Sequence, residues 1–207
     1  MITLITGGLG TGKTCIETKY GITDHLINNN RKMYSNYHLK NYPYTKLDIL
    51  DLYFNEPELK NITILGDELY TFMDCRCSMK ERNRLESYFI AQTRKKTCNL
   101  FMTSQYTIFA DYRLILFVNY HIKMGNIWIV KDINVNGIIK KAKVAHPYLF
   151  TCEITDYNDQ EHIITRNFIF DGRMWFKEYD TDETIYPPDD YIKGRDKYNK
   201  EKLLKNK

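Results

Sequence analysis

The sequence predicts an α/β fold, a three-layer sandwich whose mainly parallel β-sheet is extended by antiparallel strands towards the C-terminal end. Apolar, strand-like segments alternate with helical segments as far as residue 105, which is typical of a parallel sheet. After residue 118, short strand-like runs with turns between them favour an antiparallel meander. A chain of 207 residues, 43% of them hydrophobic, can bury one core. We therefore expect one domain over residues 1–190 and a Lys-rich tail over residues 191–207.

In the first half, each predicted element follows from apolar runs and from the residues that interrupt them. Residues 1–6 form an apolar run that stops at Gly7 and Gly8, which predicts a short buried strand and a tight turn. Two prolines and several tyrosines in residues 41–58 predict a loop with a short helical piece. The other expected elements are a helix over 13–27, strands over 32–38 and 62–65, an amphipathic helix over 79–96 and a strand over 98–103.

The second half is expected to contain only strands. Turn signals such as Asn136-Gly137 and Asp171-Gly172 separate its apolar runs. The expected antiparallel strands cover residues 126–130, 137–144, 148–154 and 162–170.

Several protein classes are disfavoured by the composition. The longest apolar runs have only a few residues, as in 114–118, whereas a helix needs roughly 20 residues to cross a bilayer. The first eight residues lack the basic region and the long apolar stretch of a secretion signal. Five cysteines, an odd number without C-x-x-C spacing, predict free thiols in a reducing compartment. We therefore expect a chain that is neither transmembrane nor secreted.

The net charge of +4 is unevenly distributed. Residues 193–207 carry a net charge of +5, so the rest of the chain sums to −1. A second segment, residues 76–96, also carries +5. Two local basic patches favour a polyanionic partner, although a solvated helix face and a frayed tail would have the same composition.

The residues GGLGTGKT match the phosphate-loop pattern G-x-x-x-x-G-K-[ST] and lie between a predicted strand and a predicted helix. Four residues between the glycines let the loop turn its backbone N–H groups inward at a helix N-terminus, where they can bind phosphate. Lys13 can reach the β- and γ-phosphates of ATP, and the Thr14 hydroxyl can ligate Mg²⁺. The pattern predicts a P-loop NTPase, with the nucleotide bound by Gly7, Gly8, Leu9, Gly10, Thr11, Gly12, Lys13, Thr14 and Cys15.

Asp67 and Glu68 follow four apolar residues at the end of a predicted strand. Two adjacent carboxylates at the mouth of a parallel sheet are costly unless a cation or a bound nucleotide compensates them. We expect Asp67 to hold Mg²⁺ through water and Glu68 to act as the base that activates the attacking water. A solvated turn is the alternative interpretation.

Two further kinds of residue complete the predicted catalytic set. Gln105 follows the predicted strand over 98–103, where its amide can donate to the γ-phosphate or orient the water. Transition-state charge in such sites is normally stabilised by an arginine. Arg113 is the first candidate, acting on a neighbouring subunit's nucleotide, and Arg76 and Arg94 are the alternatives.

In addition to GGLGTGKT, two segments carry a family resemblance. Residues 64–105 read ILGDELYTFMDCRCSMKERNRLESYFIAQTRKKTCNLFMTSQ, and residues 111–114 read DYRL. Together they resemble the FtsK-HerA superfamily of DNA-pumping ATPases, and within it the small genome-packaging ATPases of tailless icosahedral archaeal viruses with an internal membrane. The resemblance covers roughly the first 120 residues.

By that resemblance, Lys13 and Thr14 are the phosphate-loop pair, Asp67 and Glu68 are the metal-binding and water-activating carboxylates, and Gln105 is the glutamine after the fourth core strand. Arg113 falls where the family pattern often has a first arginine, whereas Ile115 occupies the position of its second. The resemblance also implies ATP and Mg²⁺ as cofactors and a homo-oligomeric ring, usually a hexamer, that threads double-stranded DNA.

The resemblance therefore implies a motor that pumps a viral genome into a preformed capsid. Its partners would be viral DNA and either the capsid or the internal membrane vertex, and it would act in the host cytoplasm during virion assembly or stay in the virion. One alternative is a filamentous-phage assembly ATPase of the zonula-occludens-toxin type, whose members usually carry a membrane-spanning segment. Another is a P-loop small-molecule kinase, such as a nucleoside monophosphate kinase, which would need a second substrate site.

Overall fold

The structure, a computed structural model, describes residues 1–28, 31–47, 60–68, 95–107, 115–135, 138–159 and 161–180. Within these ranges the chain forms one helix and eight strands. The helix is α1 (Lys13–Ile27), and the strands are β1 (Ile2–Thr6), β2 (Lys32–Ser35), β3 (Thr45–Lys46), β4 (Ile62–Gly66), β5 (Asn99–Ser104), β6 (Tyr120–Val135), β7 (Ile138–Asp156) and β8 (Ile164–Asp171).

All eight strands belong to one mixed sheet with the order β3-β2-β4-β5-β1-β6-β7-β8. The first six strands in this order are parallel to one another. β7 pairs antiparallel with β6, and β8 pairs antiparallel with β7. The predicted parallel sheet with an antiparallel extension is therefore confirmed. Because β5 lies between β4 and β1, the C-terminal ends of these three strands meet at one edge of the sheet.

Around β1, β4 and β5, both faces of the sheet are buried, as a three-layer sandwich requires. Alternation along β1 sends Ile2 and Leu4 to one face, where they join Ile62, Ile64 and Leu100. The other face is covered by α1 and contains Ile5, Ile16, Met33, Leu65 and Phe101 among its buried residues. Fully buried strands such as β1 and β4 are typical of a parallel sheet with cover on both sides.

The helix α1 packs across β4 and β5, and a glycine allows the close approach. A Cβ atom on Gly21 would lie 2.2 Å from a methyl carbon of Leu65 and 2.9 Å from its Cγ. Leu65 is completely buried and has no empty space to move into. This contact fixes the distance of α1 from β4, and so the position of the helix N-terminus over the sheet edge. With 15 residues, α1 is too short to cross a membrane, and the described part of the chain contains no other helix that could.

The meander differs from the prediction in the length of its strands. Residues 137–144 and 148–154 were expected as two strands, but both belong to the single strand β7. The strand expected over 126–130 is β6, which begins six residues earlier and pairs in parallel with β1. The 16 residues of β6 lack the polar–apolar alternation of a half-buried strand because much of its length carries exposed side chains on both faces.

Smaller differences occur near the second strand. The strand expected over 32–38 ends at Ser35, because residues 36–38 turn towards the C-terminal part of the chain. The segment expected as a loop contains the two-residue strand β3, which pairs with β2. The helix expected over 79–96, apart from its last two residues, and the tail over 191–207 lie outside the described residues. The boundary of the predicted domain at residue 190 lies outside them as well.

The variant Gly21→Ala is expected to lower the free energy of unfolding by about 1–3 kcal/mol, because the new methyl group overlaps the immobile Leu65 side chain. Helix propensity alone would give the opposite sign, since alanine is favoured over glycine by about 1 kcal/mol in a helix. Urea denaturation measures the difference. The control Leu26→Ala, at a position that is 55% exposed on the same helix, should change stability by less than about 0.5 kcal/mol. A stabilised Gly21→Ala would contradict the packing described for α1.

Candidate nucleotide-binding site

The loop between β1 and α1 has the shape expected of a phosphate-binding loop. Gly12 caps the helix with φ of +77°, in the left-handed region that favours glycine, and its carbonyl accepts the first helical hydrogen bond, from the Ile16 N–H. No side chain caps the helix N-terminus, so its backbone N–H groups face the cavity in front of the loop. This arrangement favours a bound anion.

Two glycines let this loop lie directly on the neighbouring strands. A Cβ atom on Gly7 would lie 2.6 Å from the backbone oxygen of Met124 in β6, and one on Gly12 would lie 2.9 Å from the ring of Phe150 in β7. Any larger residue at either position would push the loop away from β6 and β7. The two positions therefore require glycine for close approach as well as for conformation.

Lys13 and Thr11 bind back to the loop itself. The Lys13 ammonium donates to the Gly8 carbonyl at 3.1 Å, and the Thr11 hydroxyl donates to the same carbonyl at 2.8 Å. Lys13 is only 7% exposed, so its side chain is held within the loop rather than extended into solvent. An ammonium in this position can exchange the carbonyl for a phosphate oxygen.

The acidic pair meets the loop across the sheet. Asp67 follows β4, and its carboxylate oxygen Oδ2 accepts a hydrogen bond of 3.1 Å from the Thr14 hydroxyl in the first turn of α1. Glu68 is the next residue, with a backbone N–H that donates to the Thr103 hydroxyl at 2.8 Å. The structure thus brings together Lys13, Thr14, Asp67 and Glu68, which the sequence analysis assigned to one site.

Two residues that the sequence analysis did not single out hold Asp67 in place. The Asn36 side chain accepts a bond from the Asp67 N–H at 2.8 Å and donates to the Asp67 carbonyl at 2.7 Å. The Thr103 hydroxyl donates to Asp67 Oδ1. Strand pairing brings Thr103 to this place, because β4 and β5 pair with Gly66 opposite Met102.

The backbone at Glu68 is in an uncommon conformation, with φ of +51°. A left-handed conformation costs a residue other than glycine roughly 1–2 kcal/mol, and such residues concentrate at functional sites. The conformation turns the chain sharply directly after Asp67, the carboxylate that lines the cavity in front of the loop.

A third carboxyl group, Glu17, lies beneath this pair and was not predicted. Glu17 is fully buried on α1, one turn after Lys13 and Thr14, and its Oε1 accepts a 2.8 Å hydrogen bond from the Gly66 N–H. Its other oxygen, Oε2, has no hydrogen-bond partner among the described residues. Sequence patterns give no signal for such a residue, because a glutamate in an amphipathic helix is ordinarily expected on the solvent face.

Two of the three carboxyl groups, Glu17 and Asp67, have a raised affinity for protons. Burial raises the pKa of Glu17 well above its ordinary value, and the charges of Asp67 and Glu68 add to the effect. Burial also raises the pKa of Asp67, as does the Glu68 charge, whereas hydrogen bonds from Thr103 and Thr14 and the Lys13 charge oppose the increase. Glu17 therefore holds a proton more tightly than a glutamate in water does, and Asp67 lies where a bound cation would be strongly favoured.

The cavity in front of the loop has a volume of about 370 Å³ and two contrasting walls. One wall is polar and consists of the phosphate loop with Asp67. The other is formed by Pro147, Phe150, Phe176 and Tyr179. A polar wall facing an apolar, aromatic wall suits a ligand that joins phosphates to a planar base.

Two residues of the aromatic wall, Phe176 and Tyr179, belong to the 172–180 segment, which crosses from the end of β8 to the loop after β2. Tyr179 forms an antiparallel bridge with Leu39, and the Lys40 N–H donates to the Glu178 carbonyl at 2.8 Å. At the other end of the segment, the Cys15 thiol donates to the Gly172 carbonyl at 3.6 Å. Burial raises the pKa of Cys15 to about 12, so this thiol is an unreactive packing group.

The remaining predicted residues are placed as follows. Gln105 comes directly after Ser104, which pairs with Thr6 at the end of β1, so it lies at the site edge of the sheet and is partly exposed. Leu9 is 76% exposed at the tip of the loop. The three arginine candidates, Arg76, Arg94 and Arg113, lie outside the described residues.

The donor set of the site fits a magnesium ion. Mg²⁺ prefers oxygen ligands, keeps several waters, and is usually bound by one or two carboxylates and a substrate phosphate. The Thr14 hydroxyl and Asp67 supply adjacent oxygen atoms, 3.1 Å apart. The raised pKa of Asp67 also indicates a carboxylate that lacks full compensation from the protein alone.

Comparisons with solved structures find this fold in proteins of low sequence identity. The N-terminal domain of zonular occludens toxin from Neisseria meningitidis superposes with a TM-score of 0.58 over 86% of this chain and 98% of that domain, at 16% identity. The genome packaging NTPase B204 from Sulfolobus turreted icosahedral virus 2, in complex with ATP-gammaS, superposes with a TM-score of 0.52 over 80% of this chain and 96% of its own, at 12% identity. Neither a family model nor a curated protein matches the chain. The predicted resemblance to viral packaging ATPases is thus confirmed for the fold.

The raised pKa of Glu17 leads to a test by pH. A carboxyl group whose pKa is raised by folding contributes stability that is fully present below its unfolded pKa of about 4.5 and is lost as the pH rises towards the folded pKa. Between pH 5 and 8, Glu17→Gln should therefore become more stable than the wild type, by up to about 1.4 kcal/mol per pH unit. Urea denaturation across this pH range measures the difference.

Two further variants make this test specific. Glu17→Ala removes the acceptor for the Gly66 N–H and leaves a cavity, so it should lose about 2–5 kcal/mol. Glu161→Gln, on the surface, should stay within about 0.5 kcal/mol of the wild type. If the stability difference between Glu17→Gln and the wild type does not change with pH, folding does not raise the pKa of Glu17.

Proposed function

We propose that the chain is an ATP-driven translocase that moves double-stranded DNA and packages a viral genome into a preformed capsid. The observation that carries this proposal is the hydrogen bond between Thr14 and Asp67, which joins the phosphate loop to the acidic pair at one cavity. A phosphate loop alone would serve a kinase or a switch equally well. A loop with two carboxylates beside it suits a hydrolase, since one carboxylate can hold a cation and the other can activate water.

In this mechanism the triphosphate lies along the loop, with the backbone N–H groups of residues 8–14 and the Lys13 ammonium on its oxygens. Mg²⁺, held by Thr14 and Asp67, would neutralise charge on the β- and γ-phosphates. Glu68 accepts a proton from the water that attacks the γ-phosphorus, while the bond from that phosphorus to the bridging oxygen breaks. Gln105, at the end of the strand beside β1, orients this water or donates to the γ-phosphate.

The partners that we propose follow from charge and from the shared fold. The segment 76–96 and the tail each carry a net charge of +5, which suits contacts to DNA phosphates that do not depend on sequence. We propose a homo-oligomeric ring, as a hexamer, in which Arg113 of one subunit faces its neighbour's nucleotide. Its location would be the host cytoplasm during virion assembly, with the capsid or the internal membrane vertex as the docking partner.

A phage assembly ATPase of the zonula-occludens-toxin type is the second candidate. The observation that favours it is the TM-score of 0.58 with the domain from Neisseria meningitidis, which this chain covers almost completely. The two candidates share nucleotide hydrolysis and differ in their response to DNA. Stimulation of hydrolysis by linear duplex DNA supports packaging, whereas hydrolysis that is indifferent to DNA favours the second candidate.

Two substitutions test the assigned roles in hydrolysis. Lys13→Ala should weaken ATP binding by about 10- to 100-fold, because a charge-assisted contact to phosphate is lost. Glu68→Gln should keep ATP binding and lower kcat by about 100- to 10,000-fold, the usual contribution of a general base. Binding is measured with a fluorescent ATP analogue, and turnover is measured by phosphate release with and without duplex DNA.

Lys19→Ala on the same helix and Glu153→Gln on β7 are matched controls that should leave both measurements unchanged. Unchanged turnover in Glu68→Gln would remove this residue as the base. Transfer of phosphate to a nucleoside monophosphate, with none released to water, would show a kinase instead.

The aromatic wall gives a separate prediction about the base of the nucleotide. Phe176 lines the cavity and is partly exposed to it, and aromatic stacking on a base contributes about 1–3 kcal/mol. Phe176→Ala should weaken ATP binding about tenfold and leave tripolyphosphate binding unchanged. The control Met174→Ala, 72% exposed on the same segment, should affect neither ligand. Equal loss of both ligands would mean that Phe176 shapes the loop and does not bind the base.

A further inference from the structure

Beyond the main sheet, β6 and β7 continue as a two-stranded ribbon, residues 126–135 and 138–145, called the arm here. β1 pairs with β6 only as far as Lys123, and β8 pairs with β7 only from Leu149 onwards. Each strand of the arm is therefore paired with the other and with no further strand among the described residues. At about 3.4 Å per residue, ten residues of β6 reach about 30 Å beyond the sheet.

The arm leaves the sheet at the edge that carries the candidate nucleotide site. β6 runs parallel to β1, so it passes the phosphate loop as it leaves the sheet. At this point the Met124 backbone touches Gly7, and Phe150 of β7 touches Gly12. The pairing shifts register between Asn126 and Trp128, and the residues of β7 opposite this shift include Pro147, which lines the nucleotide cavity. The base of the arm is thus part of the cavity wall.

The described charges on the arm are almost all positive. The arm has four exposed lysines and one acidic residue, Asp132, so its net charge is +3. Asp132 lies opposite Lys141. Directly paired residues share a face, so lysines occur on both faces of the ribbon. The lysines are Lys131 and Lys140 on one face, and Lys141 and Lys143 on the other.

Some side chains of the arm make contacts between its two strands. Ile129 lies opposite Val144, and the Lys143 ammonium lies 5.7 Å from the ring centroid of Trp128 across the strands. A two-stranded ribbon needs such cross-strand contacts, because it has no core beneath it. All four lysine residues of the arm are exposed, so phosphate could reach them.

We propose that the arm binds the phosphate backbone of double-stranded DNA, which makes it a DNA-binding surface in addition to the segments noted in the sequence. A two-stranded ribbon fits the major groove, which is about 12 Å wide, and lysines on both of its faces can reach the phosphates on either side. Lysine contacts to phosphate do not depend on sequence, as a translocase requires. The identity of the polyanion as DNA rests on the proposed function. The location of the binding surface rests on the described arm.

The test compares two triple variants of the full chain that lose the same charge. Lys140, Lys141 and Lys143 are changed to Ala in the arm, and Lys40, Lys46 and Lys60, also exposed, are changed to Ala elsewhere on the described surface. Fluorescence anisotropy with a labelled 30-base-pair duplex measures affinity over a range of salt concentrations. The arm variant should bind at least about tenfold more weakly at 100 mM salt, with a salt dependence reduced by up to about 2.7 in slope. The surface control should bind as the wild type does.

A third variant separates lost contacts from lost folding. With Arg at all three arm positions the charges are kept, so duplex affinity should return to within about threefold of the wild type. Equal duplex affinity in the arm variant and the wild type would overturn the inference and leave the proposed function intact. If the wild type neither binds duplex nor is stimulated by it, the proposed function itself fails.

A contact between copies of this chain is the competing explanation of the exposed arm. The double variant Val130→Ser with Ile139→Ser would weaken such a contact, since the two positions are 68% and 73% exposed. Analytical ultracentrifugation would then show a smaller assembly for the variant than for the wild type. That result together with unchanged duplex affinity in the lysine variant would also overturn the inference. We expect the assembly to be unchanged by both substitutions.

Discussion

The hydrogen bond from Thr14 to Asp67 is the interaction on which the candidate site depends. Its two residues are 53 positions apart in sequence. Thr14 lies in the first turn of α1, which follows β1, and Asp67 follows β4, which β5 separates from β1 in the sheet. The bond can form only if α1 crosses β5 and lies close to β4, and Gly21 allows that approach against Leu65. Packing along the helix therefore sets the geometry at its N-terminus, where the phosphate loop meets the carboxylates.

The same approach crowds three carboxyl groups into one region. Glu17, Asp67 and Glu68 would repel one another as anions, and the protein reduces this repulsion in two ways. Burial raises the pKa of Glu17, which favours its neutral form, and Thr14 and Thr103 donate hydrogen bonds to Asp67. The compensation is incomplete, since the pKa of Asp67 remains raised, and the site therefore favours a cation beside the phosphates.

The phosphate loop packs against β6 and β7, the two strands that form the arm. Gly7 and Gly12 lie against Met124 and Phe150, so a shift of the loop cannot occur without a shift in β6 or β7. Pro147 belongs both to the strand that forms the arm and to the wall of the cavity. This shared packing gives a physical route by which nucleotide state and contacts at the arm could bias each other, in either direction.

The sequence by itself determined the parallel core, because strands β1, β4 and β5 are short apolar runs bounded by glycine or polar residues, and such local patterns need no tertiary information. It also determined the phosphate loop and the acidic pair, since both follow directly on those strands. Only the tertiary structure decided the roles of Asn36, Thr103 and Glu17, whose partners lie on other elements and whose side chains carry no distinctive local pattern. It decided the arm as well, because a ribbon exposed on both faces lacks the alternation from which strand length is inferred, and its extent is set by pairing between β6 and β7.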